Sequence, residues 1–308
     1  MKTRSLSLVI ALALAACGPA ADKAAAPTSA SDQPAEVVAP APADAAPADS
    51  LGDVLAGDWR SEKNKARDAY RHPRETLEFF GVKPGQTLIE ITPGGGWYAE
   101  VLAPLMKGNG TYIAAFPVDS TSDYAKRSND NFRAMLVSDP ARLGEAKTVE
   151  YDASAPNLGP DGSADVVLTF RNVHNWGDNA PAMFKAFYAV LKPGGTLGVV
   201  DHRAADGASA ESLKGSGYIT TASVKQLASD AGFELAAESE INANPKDTKD
   251  YEKGVWTLPP SLALGDTDRD KYLAIGESDR MTLKFQKPAG DRIFEQGTDA
   301  GAATPAQD

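Results

Sequence analysis

Residues 87–98 read Thr-Leu-Ile-Glu-Ile-Thr-Pro-Gly-Gly-Gly-Trp-Tyr, and this stretch decides the fold. The apolar run from Thr87 to Ile91 predicts a buried strand, the three glycines predict a turn, and a helical pattern follows. At such a junction in a parallel sheet, glycines let a ligand approach the backbone, and the start of the helix offers unpaired N–H groups. We therefore expect a nucleotide-like small molecule to bind here, although a glycine triplet also suits an ordinary turn.

Further strand-like runs follow, with helical patterns between most of them. This alternation predicts a parallel sheet that is covered by helices on both faces. Pro73 and Gly81 are typical of the first turn and the end of a helix, and Leu191-Lys192-Pro193-Gly194-Gly195 is predicted to close a helix from about Ala180. The strands predicted after the first are 111–116, 147–151, 165–170, 196–201 and 234–241.

The N-terminus has the pattern of an export signal. Basic residues precede an apolar run, and Leu14-Ala15-Ala16-Cys17 resembles a bacterial lipobox. We predict a lipoprotein signal peptide over 1–16 and lipidation of Cys17, the only cysteine of the chain. An ordinary secretory cleavage site with an incidental cysteine is the alternative.

The rest of the chain divides by composition. Residues 17–50 are rich in Ala and Pro and predict a disordered tether, residues 51–288 can form one domain, and residues 289–308 predict a disordered tail. Gly18 after the cysteine favours the outer membrane, so we expect a lipid-anchored domain that faces the periplasm. The anchor is the one membrane contact that we expect.

The charge of the chain bears on its partners. A net charge of -11 argues against nucleic acid, because binding phosphates requires a basic surface. A small-molecule substrate fits the predicted glycine turn better, and the oligomeric state stays open.

Several motifs occur in order along residues 58–288. They are Arg67 to Pro73, Val82 to Gly85, the glycine loop, Leu168 to Trp176, Leu191 to Gly195, Val200 to Arg203 and Asp279 to Phe285. Through these motifs the chain resembles the class I S-adenosylmethionine-dependent methyltransferases, in particular a bacterial group of predicted methyltransferases. The resemblance implies one α/β domain with a Rossmann-like, doubly wound, mostly parallel sheet and a final antiparallel strand, and it implies S-adenosylmethionine as cofactor.

The same resemblance implies where the cofactor binds. Glu90 and the glycine loop would face its methionine end, and Asp152 would lie near the adenine. The chain departs from the family pattern twice: Thr92 replaces the first glycine, and the second strand lacks the acidic residue that pairs with the ribose. The nearest substitute is Asp119, if its loop folds back. The predicted cofactor residues are Glu90, Thr92, Gly94, Gly95, Gly96, Asp119 and Asp152.

All three histidines fall where the predicted sheet places function. His174 follows the fourth strand, His202 the fifth, and His72 precedes the first helix. Because a neutral imidazole can take a proton from a methyl acceptor near pH 7, His174 and His202 are the predicted catalytic residues. Each could instead satisfy backbone groups at a strand end, and a three-histidine metal site is a further alternative; no metal is predicted.

The substrate is expected to lie beside these histidines. Arginine side chains there would orient an anionic substrate. An insertion over about 242–278 is either a lid over the pocket or a surface elaboration. The predicted substrate residues are Tyr70, Arg71, His72, Arg171, Asn172, Trp176 and Arg203.

Three functions compete at this point. The first is an S-adenosylmethionine-dependent methyltransferase acting on a small molecule or an envelope component. The second is a non-catalytic ligand-binding lipoprotein that retains the fold, which the missing ribose carboxylate favours. The third is a different envelope enzyme that uses the histidines.

Overall fold

The computed structural model describes residues 50–290 of the chain. The predicted signal peptide, Cys17, the tether up to residue 49 and the tail from residue 291 lie outside the described residues. The described residues all belong to one compact unit of the chain. Among them, the structure contains no helix with the length and apolar content that crossing a bilayer requires.

A seven-stranded sheet forms the centre of the domain. Its strand order is β3-β2-β1-β4-β5-β7-β6, and β7 runs antiparallel to both of its neighbours while the remaining pairs are parallel. The predicted fold class is therefore confirmed, including the antiparallel last strand. The strands are β1 (Thr87–Ile91), β2 (Thr111–Pro117), β3 (Lys147–Tyr151), β4 (Ala164–Phe170), β5 (Leu191–His202), β6 (Glu234–Ser239) and β7 (Arg280–Gln286).

Helices connect most of the strands. Short 3-10 turns occur at Asp119–Thr121, Val173–Asn175, Gly177–Asn179 and Gly254–Thr257. The α-helices are α1 (Ser50–Ala56), α2 (Glu62–Lys65), α3 (Asp68–Arg71), α4 (Pro73–Phe80), α5 (Ala99–Met106), α6 (Asp123–Ser138), α7 (Pro140–Leu143), α8 (Ala180–Val190), α9 (Ala210–Leu213), α10 (Thr221–Asp230) and α11 (Arg269–Ile275).

Two hydrophobic clusters cover the two faces of the sheet. Along β1, Leu88 belongs to the cluster with α1, α4 and α5, whereas Ile89 and Ile91 belong to the cluster with α8 and α10. Successive side chains of a strand point to opposite faces, so a strand that is apolar at consecutive positions can serve both clusters. This explains why the strands read as continuous apolar runs.

One predicted boundary is wrong. Helix α8 ends at Val190, and Leu191 to Gly195 begin β5 instead of closing the helix. Leu191 pairs with Ala164 of β4, and the register then shifts before Val166 pairs with Thr196. The irregular start of the strand explains the error, because a Pro-Gly-Gly sequence in a bulged strand has the local signature of a turn.

Candidate functional site

A cavity of about 660 Å³ lies at the carboxyl ends of β1, β4 and β5. Strand order reverses between β1 and β4, and this switch point is where open α/β sheets bind ligands. Small-molecule sites span roughly 300–1,000 Å³, so the volume suits such a ligand. We call residues 92–95 the glycine wall; the histidine wall comprises Arg71, Arg171, His174, His202, Glu277 and Ser278.

The glycine wall presents bare backbone to the cavity. Gly94 has φ +56°, and a Cβ atom built on Gly94 or Gly95 would meet no atom within 4 Å. Thr92, at φ 51°, lines the same wall, and its hydroxyl hydrogen-bonds Tyr151 at 2.7 Å. Gly96 lies behind the wall, where a Cβ would collide with Met135. The loop therefore leaves space for a ligand at Gly94 and Gly95.

Glu90 is buried at the end of β1 and does not line the cavity. Its Oε2 accepts a hydrogen bond of 2.6 Å from the hydroxyl of Tyr112 on β2. Burial raises the pKa of Glu90 to about 7, and this hydrogen bond opposes the shift. In this arrangement Glu90 holds β1 against β2 rather than facing a ligand.

The other two predicted cofactor carboxylates also lie away from the cavity lining. Asp119 accepts hydrogen bonds from Arg133 and from Asn129, which lower its pKa. Asp152 closes a short turn by accepting from the backbone and hydroxyl of Ser154. Both carboxylates are therefore engaged with neighbours on their own segments, outside the lining of the cavity.

His174 is held by a buried carboxylate. Its Nδ1 lies 2.8 Å from Oδ1 of Asp201. This Oδ1 also accepts the backbone N–H of His202, and Oδ2 accepts the backbone N–H of Val173, at 2.7 Å each. Since a carboxylate only accepts, this contact assigns the proton of His174 to Nδ1 and leaves Nε2 as an acceptor. His174 lines the cavity, so its imidazole can take a proton there.

His202 stands beside His174, with 5.2 Å between the ring centroids. Its Nδ1 lies 2.5 Å from the hydroxyl of Ser278. Burial lowers the pKa of His202 well below its ordinary value, and His174 and the nearby arginines add to the effect. His202 is therefore neutral at pH 7.

Four arginines surround one buried carboxylate, Glu277. Arg67, Arg71 and Arg280 donate to its oxygens at 2.7–3.3 Å, and Arg171 lies 3.8 Å away. Burial alone would raise the pKa of Glu277, but the guanidinium groups lower it to about 2. The guanidinium groups around Glu277 therefore outnumber the one carboxylate that they share.

The remaining predicted substrate residues are placed differently from one another. Asn172 lines the cavity and donates to the carbonyl of Ile91 at 2.9 Å. Trp176 packs against Phe184 and Phe187 instead of facing the cavity. The cavity lining also lacks three other predicted residues, Tyr70, His72 and Arg203. Arg203 is paired with Glu240 and Asp279.

The three-histidine metal arrangement does not form among the described residues. His72 lies outside the cavity lining, and the set whose ligand atoms lie within 4.8 Å of one another is His174, Asp201 and His202. The oxygens of Asp201 already accept three hydrogen bonds. The contacts present therefore make Asp201 a positioning residue for His174.

Sequence reasoning did not identify several cavity residues. Arg67 and Glu277 are 210 residues apart, so no local spacing signals their contact. Asp201 had a usable signal, because it directly precedes His202 at the end of an apolar strand. Other cavity-lining residues that were missed include Lys63, Asn64, Tyr124, Ser128 and Ser278.

The insertion between β6 and β7 covers part of the cavity, as the lid interpretation predicted. Val255 donates its N–H to Ser216 at 2.8 Å and anchors the segment. The ring centroids of Trp256 and His174 lie 6.3 Å apart. We call residues 254–261 the lid; its cavity-lining members are Val255, Trp256, Pro259, Pro260 and Ser261.

Comparison with known proteins identifies the centre of this domain. Residues 89–199, which contain the glycine wall, β4 and most of β5, match the family model described as a methyltransferase domain. This part of the chain is therefore similar to a methyltransferase domain, and the match supports the predicted enzyme class and the predicted cofactor.

Curated relatives and solved structures extend the comparison. The Citrobacter koseri ubiquinone/menaquinone biosynthesis C-methyltransferase UbiE is 28% identical over 128 residues, which are 42% of this chain and 47% of the relative. An Escherichia coli K12 UbiE is 27% identical over the same length. The chain thus spans about half the length of the curated relatives it matches.

Two solved structures share the fold of this domain. The [4+2]-cyclase SpnF has a TM-score of 0.51 at 17% identity and covers 78% of this chain and 92% of its own. A chain from the complex of the Haloferax volcanii Trm112 methyltransferase activator with a protein described as a methyltransferase has a TM-score of 0.51 at 16% identity, with 79% and 98% covered. At these identities the likeness shows the fold alone.

Proposed function

We propose that the protein is an S-adenosylmethionine-dependent methyltransferase that acts on a small molecule or an envelope component. The observation that carries the proposal is that His174, which lines the same cavity as the glycine wall, is paired with the buried Asp201 behind it. A bare-backbone loop and an oriented base in one cavity are what methyl transfer to a protonated acceptor requires.

The glycine wall fits the cofactor in part. Gly94 and Gly95 leave open space for close approach, whereas Asp119 and Asp152 lie outside the cavity lining. When bound, S-adenosylmethionine supplies a methyl group that its sulfonium already activates. Thr92, Gly94 and Gly95 would hold it, and the roles of Glu90, Gly96, Asp119 and Asp152 stay predictions.

The residues of the histidine wall prepare the acceptor. His174 Nε2 takes the proton of the acceptor, and Asp201 stabilises the imidazolium that forms while keeping the ring in place. His202 remains neutral and adds no positive charge beside it. The lid reduces the access of water to this side of the cavity.

Calorimetric titration of S-adenosylmethionine and S-adenosylhomocysteine into the full chain tests the cofactor site. We expect binding of both, and Gly95→Val should weaken it because the new side chain occupies the open space before the loop. Gly290→Ala, at a glycine that also has open space, is the matched control. Unchanged binding by Gly95→Val would contradict the placement of the cofactor.

A second experiment tests the base once an acceptor is found. His174→Gln should lower turnover by about 10²–10⁴-fold, the usual contribution of a general base, and leave binding of S-adenosylhomocysteine intact. Equal losses of turnover and binding would assign His174 a structural role.

A non-catalytic ligand-binding lipoprotein is the second candidate. The pairing of Asp119 with Arg133 favours it, because that pairing engages the carboxylate nearest to the predicted ribose position. No heat and no thermal stabilisation with millimolar S-adenosylhomocysteine would support this candidate over the first.

For location, we propose a lipid anchor on Cys17 in the outer membrane, with the domain facing the periplasm. The basic start, the apolar run and the lipobox-like residues support it. Labelling of cells with a radioactive fatty acid should mark the wild-type protein and not Cys17→Ser. Equal labelling of both proteins would rule out this anchor.

A further inference from the structure

The histidine wall contains a buried cation whose hydrogen bonds are incomplete. Arg71 is only 2% exposed, and its Nε donates to Glu277. Its Nη1 is buried and lacks a hydrogen-bond partner among the described residues. Buried donors without a partner are rare and costly, so an unpaired guanidinium nitrogen in a cavity wall indicates a missing acceptor.

Arg171 presents a second incomplete guanidinium to the same cavity. Its closest carboxylate oxygen, on Glu277, lies 3.8 Å away, which is beyond a good hydrogen bond. Its side chain makes no hydrogen bond with any of the described residues. The backbone fixes its position, because its N–H donates to Val200 at 2.7 Å and its φ is +64°.

Glu277 cannot satisfy both arginines. Its Oε1 accepts from Arg67 at 2.7 Å, and its Oε2 accepts from Arg280 at 3.0 Å and from Arg71 at 3.1 Å. One carboxylate therefore faces four guanidinium groups, two of which, Arg71 and Arg171, belong to the histidine wall. A site with this surplus of positive charge and free donors suits an oxyanion, which guanidinium groups bind in bidentate fashion.

We propose that Arg71 and Arg171 bind an oxyanion of the methyl acceptor, a carboxylate, phosphate or sulfate group, so that the acceptor is an acidic small molecule. The proposal rests on the proposed function and names the substrate class of that same site. Both arginines share the histidine wall with His174, so an acceptor anchored there by its acid can present a hydroxyl or amine to the base.

The carboxylate of the cofactor is the competing source of an oxyanion. Arg71 also stacks over the ring of Trp97, with 4.7 Å from Cζ to the centroid, and Trp97 follows the glycine loop. Arg171, His174 and the lid also line the cavity, but they belong to chain segments other than the glycine loop and Trp97. The experiment must therefore separate the acid of an acceptor from that of the cofactor.

The test is titration of sodium sulfate into the full chain by calorimetry, with sodium chloride at equal ionic strength as the blank. We expect sulfate to bind, and Arg71→Met and Arg171→Met each to weaken it by about ten-fold or more, the loss expected for a charged hydrogen bond. Arg142→Met, at an arginine that stacks on Trp59 outside the cavity, should bind sulfate as the wild type does. Absence of sulfate binding, or equal affinity in all variants, would overturn the proposal.

Arg71→Met removes one partner of a buried glutamate and can impair folding. Arg171→Met keeps the test decisive, because its guanidinium makes no hydrogen bond in the described residues and Glu277 retains three arginines. A folded Arg171→Met protein with unaltered sulfate affinity would by itself refute the site.

S-adenosylhomocysteine and 5′-methylthioadenosine, which lacks the amino acid carboxylate, then separate the two sources. We expect sulfate to bind alongside S-adenosylhomocysteine without competition. If sulfate competes with S-adenosylhomocysteine but not with methylthioadenosine, the arginines bind the cofactor and the acceptor proposal fails. If sulfate binds while neither nucleoside does, the anion site stands and the methyltransferase proposal fails.

Discussion

Glu90 and Glu277 are two buried glutamates near one cavity, and their surroundings give them opposite properties. Glu90 lies behind the glycine wall with the hydroxyl of Tyr112 as its partner, and its pKa rises to about 7. Glu277 lies in the histidine wall among four arginines, and its pKa falls to about 2. Burial raises the pKa of both, so the neighbouring charges decide the outcome. The glycine wall contains no charged side chain, whereas the histidine wall contains charged arginine and glutamate side chains.

The largest effect should come from Glu277→Gln. Removing the carboxylate leaves buried guanidinium groups unpaired, and breaking a buried ion pair costs about 3–5 kcal/mol. Urea unfolding at pH 7 should show a loss of free energy of unfolding in this range. Glu240→Gln, which removes an exposed partner of Arg203, should cost less than about 1 kcal/mol. Similar losses in both variants would contradict the special role of Glu277.

Glu90→Gln should raise the free energy of unfolding, and the size of this gain should depend on pH. The folded pKa of about 7 exceeds the ordinary 4.5, so the folded state holds its proton longer and stability falls as pH rises from 4.5 to 7. At about 1.4 kcal/mol per pKa unit, the free energy of unfolding lost between pH 4.5 and pH 7 is at most about 3–4 kcal/mol. Glu90→Gln removes this slope and should be more stable than the wild type at pH 8.

Urea unfolding at pH 5 and pH 8 measures this difference. The difference in free energy of unfolding between Glu90→Gln and the wild type should increase towards pH 8 and stay constant above it. For Glu277 the free energy of unfolding should depend on pH in the opposite sense. Its lowered pKa adds stability above pH 4.5, and this stability disappears as pH falls towards 2. Equal gaps at pH 5 and pH 8 would mean that Glu90 is ionised at both.

A smaller effect separates the two sides of the glycine loop. Gly96→Ala forces a methyl group against Met135 at a φ of +79°, and should cost about 1–2 kcal/mol of the free energy of unfolding. Gly95→Ala has open space before it and no positive φ, so its stability should match the wild type. Thermal or urea unfolding of the two variants decides this, and equal stability would show that Gly96 needs no close packing.

The smallest effect should come from the lid. Trp256 is 39% exposed and its ring lies near His174, so Trp256→Ala should change the free energy of unfolding by less than about 1 kcal/mol. It should nevertheless speed the modification of His174 by diethylpyrocarbonate, measured by mass spectrometry, because it uncovers the histidine wall. Binding of S-adenosylhomocysteine at the glycine wall should not change. An unaltered rate at His174 would show that Trp256 does not shield it.

The fold was largely predictable, and the site was predictable only in part. The strand of residues 87–91, the glycine loop and the helix of residues 73–80 are local patterns, and the structure reproduces them. Arg71, Arg171, Asn172, His174 and His202 line the cavity as their positions at strand and helix ends suggested. Trp176 and Arg203 also follow strands, yet they turn towards the core and towards acidic partners. A position at a strand end does not determine where its side chain points.

By itself, the sequence determined the α/β fold, the switch-point loop and the types of residue at the edge of the sheet. These depend on the period of apolar residues and on glycine conformations, which act over a few positions. Only the tertiary structure decided that Asp201 orients His174, that Arg133 engages Asp119, and that one glutamate faces four arginines. Those contacts join residues 14 to 210 positions apart. Their pKa values and free donors follow from packing and burial, which no short stretch of sequence specifies.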